Sequence, residues 1–275
     1  KVNGNMQYRF LVLDLDGTLT NSQKVITPRT KEVLIRAQEK GICLVLASGR
    51  PTHGIVNLAE ELELNKYGGY ILAFNGAKII EVHGMKAVFD QHIERKYYRE
   101  IIDFSKEYGV DILTYQGDEI LLTNKENPYA KIEARITGMT LRQEDDLEKA
   151  IQEDVPKFIL LGNGDDAYLA DVEQKMKDKF QENLSISRSE AFFLEVMAKG
   201  IDKAKSLERL LEIKNATKEE MIACGDGYND LSMISFAGLG VAMGNAVDGV
   251  KNVADYVTLS NDEDGVAKVV EEFIF

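Results

Sequence analysis

The residues best suited to chemistry in this chain are carboxylates that come in close pairs. Asp14-Leu15-Asp16-Gly17-Thr18 sets two acids two positions apart, directly after the apolar run Phe10–Leu13. Side chains alternate along a strand, so Asp14 ends a buried strand and Asp16 can point to the same side. Two carboxylates this close ionise together only at a cost, which a neighbouring cation offsets. Gly17 lets the chain turn tightly while its backbone approaches a ligand. Asp-Gly also occurs in plain turns, and no glutamate falls at the spacing a calcium-binding loop needs. A second acidic turn, Gly225-Asp226-Gly227-Tyr228-Asn229-Asp230, follows the apolar run Met221–Cys224 and opens a helix that closes near Gly238. Mg²⁺ takes hard oxygen ligands, usually one or two carboxylates, and keeps water and substrate phosphate for the rest. Three acidic positions on two adjacent strand ends meet that need.

Two further positions complement the acids. Ser48 ends the apolar run Ile42–Ala47 in Ala47-Ser48-Gly49-Arg50-Pro51, where a hydroxyl and a backbone N–H can hold a phosphate oxygen. A Ser-Gly turn leading into a helix is the plainer account of the same residues. Lys203 opens a helix over 203–214 with Asp202 as N-cap. A lysine in a first helical turn opposes the macrodipole, so it makes better sense if it faces carboxylates or a phosphate, though a solvated surface lysine is the plainer account of the same residue. Other acidic clusters, Asp145-Asp146, Asp165-Asp166 and Asp262-Glu263-Asp264, read as helix starts and solvated loops. Gly238-x-Gly240-x-x-x-Gly244 misses the dinucleotide fingerprint by one residue, and no Walker loop is present.

The elements that must carry these residues are short apolar runs alternating with amphipathic helices. Phe10–Leu13, Ile42–Ala47, Tyr70–Phe74, Met221–Cys224 and Leu239–Met243 contain almost no polar residue, as strands buried on both faces do. Between the first two lies a helix with Thr27 as N-cap, Pro28 in its first turn and Gly41 at its end. A second helix runs through Ile55, Leu58, Ala59 and Leu62. Strand–helix–strand units of this kind predict an open α/β sheet whose ligands bind at the carboxyl ends of the strands. The middle of the chain differs. Asp111–Tyr115 and Asp118–Thr123, separated by Gly117, read as an antiparallel pair with one wet face. Helical patterns over roughly 91–108, 126–136, 144–154 and 165–180 surround it, and from about Ala191 the apolar grammar resumes. This predicts a discontinuous core over 1–82 and 190–275, with a separate α+β domain inserted over 83–189.

Composition bounds the class. The chain has 275 residues, 44% hydrophobic and 29% charged, which gives ample core for two domains. No apolar run approaches the roughly 20 residues needed to span a bilayer. No signal peptide is visible, and Lys1–Asn5 before Met6 read as a short leader. The formal charge of −13, from 46 acidic and 33 basic residues, disfavours nucleic acid and anionic membrane as partners. Cys43 and Cys224 sit in apolar runs, which suits free buried thiols in a reducing cytoplasm.

In order along the chain, Asp14-x-Asp16-Gly-Thr, Ser48-Gly-Arg, Lys203 and Gly-Asp226-x-x-Asn-Asp230 resemble the four motifs of the haloacid dehalogenase superfamily of phosphatases. Phe74-Asn75-Gly76-Ala77, Val241-Ala-Met-Gly-Asn245-Ala and the segment 254–266 are similar to its Cof-type, or type IIB, branch. The resemblance implies a Rossmann-like parallel-sheet core with an α/β cap inserted after the third core strand. It implies that Asp14 is a nucleophile forming an aspartyl-phosphate and that Asp16 is a general acid and base, with Asp14 ionised and Asp16 protonated as substrate binds. Ser48 and Lys203 then hold phosphoryl oxygens. Mg²⁺ is held by Asp14, the backbone carbonyl of Asp16 and Asp226, with Asp230 positioning its shell. Gly49, Arg50, Asn75 and Asn229 are the substrate-binding candidates, and Tyr115, Lys157 and Arg188 are candidate cap contacts. The implied partner is a small phosphorylated metabolite, typically a sugar phosphate, with pyridoxal phosphate and flavin mononucleotide as other recurrent substrates. The implied enzyme is cytoplasmic and a monomer or weak homo-oligomer. Two other readings share the Asp14 chemistry. A phosphomutase returns the phosphoryl group to sugar instead of water. A phosphoacceptor regulatory module needs only about 120 residues and no cap, and Asp16 and the large insertion argue against it.

Overall fold

A computed structural model describes residues 7–275, so the expectation for Lys1–Asn5 lies outside the described residues. The chain divides into two compact units, one formed by the chain up to Phe89 together with Asp202–Phe275, the other by Asp90–Ile201.

The first unit is built on an eight-stranded sheet. Its order is Tyr256–Val257, Leu239–Ala242, Met221–Gly225, Phe10–Leu13, Cys43–Ala47, Tyr70–Ala73, Lys78–Glu81 and Lys86–Asp90. The first six strands are mutually parallel, and Lys78–Glu81 returns antiparallel to Tyr70–Ala73. Phe10–Leu13, Tyr70–Ala73 and Met221–Gly225 are buried at every residue, which is why they lack the polar–apolar alternation of a half-exposed strand. The helix Pro28–Glu39 starts as its sequence predicts: the Thr27 side chain accepts from the Thr30 N–H and Pro28 occupies the first turn. The register decides the level of the strand ends. Leu13 pairs with both Leu46 and Cys224. Asp14, Ser48 and Asp226 therefore leave three neighbouring strands at nearly the same height. The ladder continues into them, with the Asp14 N–H donating to Cys224 O at 3.1 Å and the Ser48 N–H to Leu72 O at 3.0 Å.

The second unit has a six-stranded sheet in the order Leu184–Glu190, Phe193–Ala198, Lys157–Leu161, Asp111–Gln116, Glu119–Leu122 and Thr140–Gln143. All its pairs are antiparallel except the last. Helices Tyr98–Glu107 and Asp166–Phe180 pack their apolar sides, including Tyr98, Phe104, Leu169 and Met176, against one face of that sheet. Tyr98 and Phe104 are thus a helix face buried in a core.

Both boundaries differ from those expected at 83 and 189. Lys86–Asp90 hydrogen-bonds to Lys78–Glu81 at the edge of the first sheet, and Val88 and Phe89 pack on that unit's core. The second unit therefore begins after this hairpin, two strands beyond the third core strand. At the other end, Phe193–Ala198 pairs on both sides within the second sheet and is buried at all six residues. A strand covered on both faces has the same apolar signature in either sheet, and periodicity cannot assign it. Among the described residues, no helix is long and apolar enough to cross a membrane.

Candidate active site

The site of the first unit lies at the carboxyl ends of its central strands. Gly17 has φ +81°, and a Cβ added there would sit 2.1 Å from Asp226 Oδ2, so only glycine lets the Asp14 loop lie against the Asp226 turn. Thr18 Oγ1 ties the two loops by donating to Asp226 Oδ1 at 3.0 Å. Lys203 arrives from the start of helix Lys203–Ile213, whose N-cap Asp202 accepts from the Lys205 N–H at 2.9 Å. The Ser206 hydroxyl donates to Gly76 O at 2.6 Å and docks that helix on the Phe74–Gly76 turn.

Lys203 is 1% exposed, and its Nζ donates to Asp14 Oδ1 at 3.1 Å, Asp230 Oδ1 at 2.7 Å and Ala47 O at 3.2 Å. All three ammonium hydrogens are satisfied, which is how a buried lysine retains its charge. Burial works against that charge, but Asp14 and Asp230 outweigh it and raise the Lys203 pKa. The first-turn lysine therefore faces carboxylates, as its position against the macrodipole predicts. Asp230 is fully buried and its Oδ2 accepts the backbone N–H groups of Asp226 and Gly227 at 3.0 and 3.1 Å. With three donors already on it, Asp230 is an organiser of the turn.

Asp14, Asp226 and Asp230 bring one oxygen each within 4.8 Å of one another. Burial raises the Asp14 pKa well above the carboxylate range, and the Asp230 and Asp226 charges add to that against the pull of Lys203. Asp226 is raised as well, again first by burial. Ionising all three carboxyls against one ammonium would leave a formal charge of −2, of which a divalent cation is the direct complement. All the donors are hard oxygens, and the set fits Mg²⁺ better than a soft-ligand metal.

Asp16 stands apart from this group. Its carboxylate meets the guanidinium of Arg50 through both oxygens, with Nε to Oδ2 at 2.9 Å, and Lys24 Nζ lies 3.2 Å from Oδ1. Burial would raise the Asp16 pKa, but the hydrogen bonds and charges of Arg50 and Lys24 outweigh it and hold it low. The expected protonation order is therefore reversed in this state: Asp14 is the carboxyl driven towards its proton, and Asp16 the one kept ionised. The reason is placement, since the cations around Asp16 outnumber it while Asp14 faces two other acids.

Ser48 is 3% exposed and its Oγ accepts the Arg50 N–H at 3.0 Å. Its loop is knitted to the next one: the Asn75 N–H donates to Ser48 O at 2.8 Å and the Phe74 N–H to Arg50 O at 3.0 Å. Asn75, at φ 57°, has its Oδ1 buried with no hydrogen-bond partner, and that atom would lie 3.2 Å from a Cβ on Gly49. The structure thus brings Gly49, Arg50 and Asn75 together. Asn229 is exposed on the Asp226 turn. Lys24 carries no signal in the sequence, where it is one polar residue of a loop, and Thr18 stands out there only as part of a motif.

The candidate cap contacts are engaged within the second unit. Tyr115 Oη donates to Glu133 Oε1 at 2.8 Å, Lys157 Nζ is hydrogen-bonded to Glu195, and Arg188 Nε donates to Glu173 Oε1 at 2.9 Å. Tyr115 and Lys157 are 4% and 2% exposed, so the wet face expected around them is a buried polar cluster.

Known proteins place the chain. The sequence model of a family described as haloacid dehalogenase-like hydrolase matches residues 11–270. The 5-amino-6-(5-phospho-D-ribitylamino)uracil phosphatase YcsE of Bacillus subtilis is 31% identical over 98% of this chain and 97% of its own length. A crystal structure of a haloacid dehalogenase-like hydrolase from Bacteroides thetaiotaomicron superposes with a TM-score of 0.93 at 48% identity, over 98% of this chain and all of that one. The structure of a sugar phosphatase of subclass IIB superposes at 0.82 with 28% identity, over 96% of this chain and 98% of its own.

Proposed function

This chain belongs to the haloacid dehalogenase-like hydrolase family and is a phosphoric monoester hydrolase, and we propose that it is a Mg²⁺-dependent phosphatase of small phosphorylated metabolites, with hexose and other sugar phosphates as its first substrate class. The observation that carries this reading is the buried Lys203 bridging Asp14 and Asp230, with Asp226 in reach, at the ends of parallel strands.

In this reading an oxygen of Asp14 attacks phosphorus, the bond from phosphorus to the leaving alkoxide breaks, and Asp16 gives that alkoxide a proton. Water then attacks the aspartyl-phosphate and loses a proton to Asp16, and the bond from phosphorus to Asp14 breaks to release inorganic phosphate. Ser48 holds one phosphoryl oxygen and Lys203 another, the lysine exchanging one of its three present acceptors for it, and most of the rate enhancement comes from position and charge. Mg²⁺, held by Asp14, the Asp16 carbonyl and Asp226 with Asp230 beside them, would neutralise carboxylate and phosphoryl charge so that Asp14 attacks as the anion. Asp16 carries a proton only once Arg50 loosens from it, and an arriving phosphate is a competing anion for the same guanidinium. Gly49, Asn75 and Asn229 complete the substrate-binding set, and the enzyme works in the cytoplasm as a monomer or weak homo-oligomer.

The test is phosphate release from sugar phosphates, pyridoxal phosphate, flavin mononucleotide and the phosphoribitylaminouracil that YcsE is named for, with Mg²⁺ or EDTA. Metal-dependent release that Asp14→Asn abolishes is expected. Release that survives both EDTA and Asp14→Asn would overturn the assignment.

A further inference from the structure

The turn that follows strand Leu239–Ala242 and the segment 254–266 both reach the loop that carries Asp14 and Asp16. Asn245 Nδ2 donates to Gly17 O at 2.9 Å, and Asn245 Oδ1 accepts the Asn261 N–H at 3.0 Å. Asn261 Nδ2 in turn donates to Thr20 O at 2.9 Å. Further along, Asp262 accepts the Ser22 N–H at 2.8 Å, and Asp264 accepts the Thr30 hydroxyl at 3.0 Å. One side of the 17–30 segment is thus held along its length from the C-terminal part of the chain.

We infer that Asn245, locked in orientation by Asn261, is a positioning residue that sets the Asp16–Gly17 peptide against Asp226. Gly17 has no Cβ and sits at φ +81°, so sterics leave its torsions broad. The Gly17 carbonyl and the Thr18 N–H share one peptide plane: Leu15 O holds one edge of it and Asn245 the opposite edge, which leaves the Asp16 carbonyl a fixed plane to turn against at Gly17. The far side of the loop is already fixed, by Thr18 to Asp226 and by the Thr18 and Thr20 N–H groups on Leu15 O. Asn245 supplies the constraint on the open side. Its amide has to donate and accept at once, a pair of roles that neither aspartate nor alanine can fill.

The inference rests on the phosphatase reading, because it assigns the Asp16 carbonyl to the metal. Mg²⁺ alone is titrated calorimetrically into substrate-free wild type, Asn245→Ala, Asn245→Asp and Asp165→Ala. The last removes a helix N-cap in the second unit and controls for simple destabilisation. Steady-state phosphate release at saturating Mg²⁺ gives kcat and KM for the same proteins. Asn245→Ala is expected to weaken Mg²⁺ binding and lower kcat, each about 10- to 100-fold. KM should stay within about twofold, as for an interaction made mainly in the transition state. Asn245→Asp should match alanine, because it keeps the acceptor for Asn261 but loses the donor to Gly17 O. Wild-type Mg²⁺ affinity in Asn245→Ala, wild-type behaviour in Asn245→Asp, or an equal loss in Asp165→Ala overturns the inference while leaving the phosphatase reading intact. A wild type that neither binds Mg²⁺ nor releases phosphate sinks that reading, and the inference falls with it.

Discussion

Lys203 in the first unit and Lys157 in the second are both buried ammonium groups paired with carboxylates, at 1% and 2% exposure, and they serve opposite ends. Lys157 opens a strand, and its partner Glu195 lies on the adjacent strand of the same sheet, two residues from the position paired with Lys157. Tyr115 and Glu133 satisfy each other beside it. There each carboxylate has its own donor on a rigid lattice. Around Lys203 the residues come from a strand end, a turn and a helix start, and three carboxylates crowd one cation. Burial that is matched group by group builds structure, whereas burial left with surplus negative charge keeps a field that a cation or reacting group can complete.

The largest expected effect separates the two clusters by chemistry. Asp14→Asn should lower phosphate release by about 10⁴-fold or more, without loss of thermal stability, because it removes a carboxyl that burial already drives towards neutrality. Next come the lysines themselves. Lys203→Met and Lys157→Met each strand buried carboxylates and should cost about 3–5 kcal/mol in metal-free protein. Thermal melts with and without Mg²⁺ then sharpen the contrast: the cation should restore part of the loss in Lys203→Met and none in Lys157→Met. Equal restoration in both would erase the distinction.

A smaller effect probes the matched cluster by pH. Burial, then the Glu133 charge, holds the Tyr115 phenol well above its ordinary value of 10.0. A raised pKa in the fold favours the neutral phenol, so its contribution is full below pH ~10 and is lost as pH rises towards the folded value. Tyr115→Phe should lower stability at pH 7 by about 1–2 kcal/mol and flatten the decline seen by denaturant melts above pH ~10. The smallest effect concerns the thiols. Burial pushes Cys43 up to about 11 and raises Cys224 as well, so both are protonated at neutral pH. A disulfide reagent should titrate them slowly in the folded protein and at once in denaturant. Cys224 is buried and Cys43 half-buried, so Cys43 should react first, and rapid native labelling of Cys224 would count against its burial.

Much of this site was legible because its residues sit where strands and helices stop. Asp14, Ser48 and Asp226 each follow an unbroken apolar run, and a parallel sheet puts such ends on one edge. Lys203 was legible as an anomaly, a cation in a first helical turn. Lys24 and Asn245 were not, because their partners, the Asp16 carboxylate and the Gly17 carbonyl, become neighbours only through loop packing. Tyr115, on a strand whose alternation reads as one wet face, is buried beside Lys157, because alternation reports a second environment without saying whether it is solvent or a polar interior.

Which strands are buried on both faces, where the helices start and which acids stand at the strand ends all follow from local periodicity and capping. Long-range packing alone assigns Phe193–Ala198 to the second sheet, and sets Arg50 and Lys24 to hold the Asp16 pKa low while Asp14 is driven towards its proton. Register and charge balance are sums over residues far apart in the chain, and no local pattern carries them.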